Sequence, residues 1–78
     1  MSTGYGTRAD HLAWCKQRAL GYVDQGDLPN ALASMSSDMR KHPDTDTPAV
    51  MMLLSMEGMR CVQANDVAGM RQLIEGFN

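Results

Sequence analysis

The sequence predicts an all-α fold of four helices arranged as two antiparallel hairpins. Apolar residues recur at spacings of three and four through most of the chain, which is the period of one face of an α-helix. The chain has no run of alternating β-branched residues and no two-residue hairpin turn, so the usual strand signals are absent. Short turns at Gly26 with Asp27 and at Asn65 with Asp66 divide the helices into the two hairpins.

The first helix is expected to begin at Thr7, after a flexible N-terminal tail at residues 1–6. The tail contains two glycines and no periodic apolar positions, and a single helical domain is expected over 7–78. The Thr7 hydroxyl can cap the helix, and Asp10, three residues later, completes a sequence similar to a capping box. Gly26 suits the left-handed conformation that ends a helix. The predicted core stripe of this helix consists of Leu12, Cys15, Ala19 and Val23.

The second helix is expected to start after an Asp27 cap. Pro29 is tolerated there because first-turn amides have no partner within the helix. The pair His42 and Pro43 is expected to stop the helix, since the residue before proline is pushed out of helical geometry, and residues 43–47 form the one obvious loop. The helical face predicted to be buried consists of Leu28, Ala31, Leu32, Met35 and Met39.

Thr47 and Pro48 are typical of the N-cap and first position of a third helix, over about residues 48–64. This helix is apolar nearly all round over residues 50–56, which is normal for a helix that is central or docked against a partner. Asn65 is expected to end it and Asp66 to cap the next helix. The predicted stripe of the fourth helix consists of Val67, Met70, Leu73, Ile74 and Phe77.

Composition excludes several classes of function. Seven Lys and Arg stand against nine Asp and Glu, so the chain lacks the basic excess that nucleic-acid binding requires. The most apolar run, residues 50–54, is far shorter than the roughly 20 residues of a membrane span, and the N-terminus lacks the apolar segment of a signal peptide. We therefore expect a cytoplasmic protein with no direct nucleic-acid or membrane partner, in which Cys15 and Cys61 stay reduced.

Residues 19–43 resemble a single tetratricopeptide repeat, the helix–turn–helix unit of peptide-binding solenoids. The matching positions are Ala19, Tyr22, Gly26, Ala31, Met35 and Pro43. Arg18 stands where that pattern has leucine, Asp38 stands where it has alanine, and Trp14 lies one position from the expected tryptophan. The resemblance implies a peptide-binding adaptor; common ancestry and shared hairpin geometry both account for it.

Four stretches, residues 11–20, 26–28, 37–44 and 74–78, resemble the small uncharacterised helical proteins encoded by tailed bacteriophages. That resemblance implies a chain made in the bacterial host cytoplasm that binds and blocks or redirects a host protein. It assigns no role to any residue.

No catalytic or metal constellation emerges from the residue spacing. His11 and Cys15 are four residues apart and could offer two zinc ligands, but His42 and Cys61 are 19 residues apart and complete no ligand motif. A nucleophilic cysteine would need an oxyanion loop, which the sequence lacks. We expect Cys15 to be a core residue, His11 to be half exposed, and the protein to be neither an enzyme nor a holder of a metal or cofactor.

Trp14 is the first candidate contact residue. A rotation of 100° per residue places it on roughly the opposite side from the core stripe of the first helix, flanked by His11, Arg18 and Tyr22. Tryptophan, tyrosine and arginine are enriched at interface hot spots. The alternative is that the first helix lies between two neighbours, so that Trp14 belongs to the core.

The eight methionines offer a second candidate surface. Met51, Met52, Met56 and Met59 cannot all face one core, and flexible thioethers suit adaptable binding surfaces. The sequence therefore predicts a non-catalytic protein–protein interaction protein, an inhibitor or modulator of a host protein. The alternatives are a small oligomeric assembly or scaffolding subunit that self-associates through the third helix, and a tetratricopeptide-like adaptor.

Overall fold

The computed structural model describes residues 8–43 and 45–77, and this part of the chain contains four helices and no strand. This confirms the predicted all-α class. The expected tail at residues 1–6 and the Thr7 cap lie outside the described residues. The helices are α1 (Arg8–Asp24), α2 (Leu28–Met39), α3 (Pro48–Ala64) and α4 (Val67–Glu75).

The predicted caps of α2, α3 and α4 and the turns at Gly26 and Asn65 are confirmed. Gly26 adopts a φ of 76°, and Asn65, the C-cap of α3, is also left-handed at a φ of 52°. The side chains of Asp27, Thr47 and Asp66 each accept a hydrogen bond from the backbone N–H three residues later. These bonds satisfy amides that have no partner within the helix, so local chemistry sets where three of the helices begin.

The helix contacts are compatible with two hairpins. α1 packs most extensively on α2, α3 packs on both α2 and α4, and α4 closes against α1. The buried residues of α3, Leu54, Gly58 and Cys61, share one side of the helix, so its other side faces away from the core. Of the two positions that the sequence left open for α3, central or docked against a partner, the helix does not take the central one.

The core consists largely of the predicted stripes. Every apolar residue predicted to be buried on α1 and α2 is buried, and α3 and α4 add Leu54, Cys61, Met70 and Ile74. Val67, by contrast, is 38% exposed. Gly58 lets α3 approach α2, because a Cβ at this position would lie 2.4 Å from Cδ1 of Leu32.

Two details around the end of α2 differ from expectation. The helix ends at Met39 rather than at His42, and Thr45 of the predicted loop is fully buried. The Thr45 hydroxyl donates to the carbonyls of Met39 and His42. The loop therefore folds back to satisfy carbonyls that the helix leaves without partners.

Candidate protein-binding surfaces

The first predicted surface is built around Trp14, which is half-buried and packs its inner side against the core. Two cations lie over its ring: the Arg18 guanidinium carbon is 5.0 Å from the ring centroid and the Lys41 Nζ is 5.1 Å from it. Cations at this distance are attracted by the negative face of the indole. Trp14 is therefore both a packing residue and the floor of a partly exposed cationic surface.

A single buried carboxylate holds both cations in place. Asp38, 2% exposed, accepts a hydrogen bond from Arg18 Nε at 2.7 Å and one from Lys41 Nζ at 3.1 Å. Arg18 and Asp38 are the two substitutions noted above in the tetratricopeptide-like pattern, and they pair with each other across the α1–α2 hairpin. The pairing gives this hairpin a polar contact between α1 and α2.

The structure corrects the expectation for His11. We expected a half-exposed side chain that contacts a partner, but His11 is fully buried. Its Nε2 donates to the backbone carbonyl of Asp38 at 3.0 Å, and its ring stacks on Trp14 with centroids 5.8 Å apart. The His42 ring also packs against His11, with the two ring centroids 5.2 Å apart. His11 supports Trp14 from behind and offers no surface to a partner.

Tyr22, another predicted contact, is half-buried. With Arg18, Gly21 and Gln25 it lines a shallow depression of about 220 Å³ on the outer side of α1. Arg18 and Tyr22 thus share one surface, next to Trp14.

The second predicted surface lies on the outer side of α3. Met52 is 63% exposed, Met56 65% and Met59 48%, whereas Met51 is half-buried and faces inward more than predicted. Leu53, which the sequence analysis did not single out, is 52% exposed beside them. We call the set Met52, Leu53, Met56 and Met59 the methionine face.

The methionine face continues into a groove between α3 and α4. Leu53 lines this cavity of about 250 Å³ together with Leu73 and Phe77 of the α4 end, and its walls are mostly apolar. Contiguous exposed apolar surface of this kind marks interaction sites in soluble proteins. The groove could receive one apolar side chain of a partner.

Charge is sparse on α3. Its only charged residues are Glu57 and Arg60, and they pair with each other at 3.1 Å on one side of the helix. The methionine face therefore offers a partner apolar contact with almost no net charge.

The geometry around Cys15 disfavours thiolate chemistry. Its Sγ lies 3.5 Å from His11 Nε2, but the side chain is fully buried. Burial, with a further contribution from the negative charge of Asp38, raises the pKa of the Cys15 thiol to about 11. Only a thiolate is a good nucleophile or metal ligand. Among the described residues, no group of three or more His, Cys, Asp or Glu side chains is placed to hold a metal ion.

Within residues 8–43 and 45–77, no helix has both the length and the apolar content to cross a membrane. Comparison of the chain with protein-family models, curated proteins and solved structures gave no match.

Proposed function

We propose that the protein is a non-catalytic protein-binding module that docks onto its partner through the methionine face. The observation that carries this proposal is the exposure of four large apolar side chains, each by about half or more, on one side of α3. While they are exposed, these side chains contribute little to the stability of the monomer, and they stabilise a complex when a partner covers them.

The size of that stabilisation defines what else the partner must supply. Full burial of a Met or Leu side chain is worth about 1.5–3 kcal/mol, so covering the remaining exposed part of these four yields about 3–7 kcal/mol. Association costs about 4–15 kcal/mol in lost freedom. The methionine face alone therefore gives at most weak binding, and a tight complex needs further contacts.

The surface formed by Trp14, Arg18 and Tyr22 is the second contact zone of this proposal. Arg18 is held in position by Asp38 and stacks on Trp14, so little side-chain freedom is left to lose on binding. Preorganised aromatic and arginine side chains are those that dominate interface energies.

The partner we propose is a protein of the bacterial host cytoplasm, with the chain acting as a phage-encoded inhibitor or modulator. This part of the proposal depends on the sequence resemblance to small proteins of tailed phages. The small size of the domain fits such a role, since blocking a surface requires no catalytic cleft.

The test is a complex reconstituted from purified components after capture from bacterial extract. We expect Met56→Glu to abolish a complex of defined stoichiometry, because it places a charge at the centre of the apolar face. The new carboxylate lies four residues before Arg60, a favourable helical spacing, so the fold is preserved. Gln17→Glu, the same charge change at an exposed position of α1, is the matched control and should bind normally.

Trp14→Ala reports on the second zone. We expect a fold that melts cooperatively and binding weakened by at least tenfold. A partner that binds Met56→Glu and Trp14→Ala as tightly as the wild type would overturn the proposal.

A further inference from the structure

The exposed side of α3 carries the residue spacing of a coiled-coil seam. Five exposed positions follow one another at intervals of three, four, three and four: Ala49, Met52, Met56, Met59 and Gln63. Alternation of three and four is the a and d spacing that keeps one side of a helix facing a second helix. This side therefore fits another helix along most of its length.

The charge distribution favours an identical helix as that partner. From Pro48 to Met56, α3 contains no charged residue, and Glu57 is already paired with Arg60. A two-fold axis packs the same surface of two copies together, so residues near the axis meet their own counterparts and a charge there would repel its copy. This face carries no such repulsion near its centre.

We propose that a second copy of this chain covers the methionine face when no other partner is bound, with α3 packed antiparallel on α3 and the two-fold axis at Met56. Met56 then meets Met56 of the second copy, and Leu53 meets Met59 of the second copy. The second Met59 consequently lies at the mouth of the groove formed by Leu53, Leu73 and Phe77. The antiparallel arrangement also sets the two helix dipoles in opposite directions.

The dimer should be weak and reversible. α3 has 17 residues, about 25 Å of helix, and a single helix pair of that length buries less than the roughly 800 Å² per partner of a standard interface. We expect a dissociation constant on the order of tens of micromolar. The dimer deepens the proposed function, since it uses the same surface, and a heterologous partner would displace the second copy.

The first test is the mass of the intact protein by sedimentation equilibrium, from about 1 μM to about 1 mM. We expect a monomer that becomes a dimer and nothing larger, because a two-fold contact is closed. Met56→Glu should stay monomeric throughout, since two carboxylates would face each other across the axis, and Gln17→Glu should dimerise like the wild type. A wild-type monomer at every concentration, open-ended association, or a dimer unaffected by Met56→Glu would overturn the proposal.

The second test is disulfide cross-linking with a mild oxidant. Cys15 and Cys61 are at most 1% exposed, so a single introduced cysteine reports on the interface. We expect Met56→Cys to cross-link to its own copy, while Met52→Cys, which lies away from the axis, remains at the background set by Gln17→Cys. Efficient cross-linking of both Met52→Cys and Met56→Cys would indicate parallel helices and refute the antiparallel dimer.

The two proposals fail in different ways. A protein that stays monomeric but forms a complex sensitive to Met56→Glu would refute the dimer and leave the proposed function standing. A concentration-dependent dimer, together with a partner complex that Met56→Glu does not weaken, would support the dimer and refute the proposed function.

Discussion

The division of the methionines into core and surface can be tested by the same truncation at two positions. Met35 on α2 is fully buried, whereas Met56 on α3 is 65% exposed. Both lie inside helices, so Met35→Ala and Met56→Ala delete the same atoms from the same local structure. The difference in their effect on the free energy of unfolding then reports burial alone.

The expected magnitudes differ severalfold. Met56 has lost contact with water over only about a third of its surface, so truncation forfeits about 0.5–1 kcal/mol of the 1.5–3 kcal/mol for full burial. Alanine recovers a few tenths of that through its helix propensity, and the net cost is about 0.5 kcal/mol. Met35→Ala leaves a cavity and should cost about 2–5 kcal/mol, a large part of the total stability of a domain of this size.

The assay is urea unfolding followed by circular dichroism at a protein concentration of a few micromolar, below the expected dimer range. A loss above about 1.5 kcal/mol for Met56→Ala under these conditions would show that the methionine face packs within the monomer, and the reasoning would be wrong. Peroxide oxidation of the wild type gives an independent check without any variant. Exposed thioethers should become sulfoxides well before buried ones, so Met52 and Met56 should oxidise before Met35 and Met70.

Three further outcomes are expected from thermal or denaturant unfolding. Gly21→Ala should stabilise the folded protein by about 1 kcal/mol, because its new Cβ meets nothing within 4 Å. Gly58→Ala should destabilise it by about 1 kcal/mol, because its Cβ collides with Leu32. Equal effects of the two substitutions would contradict the close approach of α3 to α2. The pKa of Cys15 is about 11 in the folded chain against an ordinary 9.0, so between these two pH values the folded state holds a proton that the unfolded state has lost. The free energy of unfolding should therefore fall as the pH rises from 9 towards 11. Cys15→Ala has no thiol to titrate and should show a shallower fall. Asn65→Val should cost about 1–2 kcal/mol because of its left-handed φ, with Asn65→Gly as the near-neutral control.

The helix boundaries could be predicted because the signals for them are local. Asp27, Thr47 and Asp66 cap amides only three residues away, and the left-handed backbone of Gly26 is set by its own lack of a side chain. The exception is the end of α2, where Thr45 folds back on Met39 through a contact that no short-range pattern encodes.

The polar group around Trp14 could not be predicted because its members come from two helices. A rule that treats polar residues as exposed misplaces both His11 and Asp38, which are at most 2% exposed. One signal was present: Asp38 lies three residues after buried Met35 and directly before buried Met39, so its position on the helix is inward. A carboxylate at such a position needs a cationic partner, and Arg18 supplies it.

The position of α3 can be predicted only in part from its apolar sequence pattern, and the packing of the helices decides the rest. A helix that is apolar all round is compatible with a central position or with a docked one, and the sequence leaves both open. In the fold, α3 contacts α2 and α4 and its fully buried residues share one side of the helix, so about half of its apolar residues pack in the core and half face away from it. The outward half adds little to the folding of the chain and lowers its solubility. Since the four large exposed side chains of the methionine face gain free energy only in contact with a second surface, we infer that what they stabilise is a complex, with a second copy at high concentration and with a partner protein when one is present.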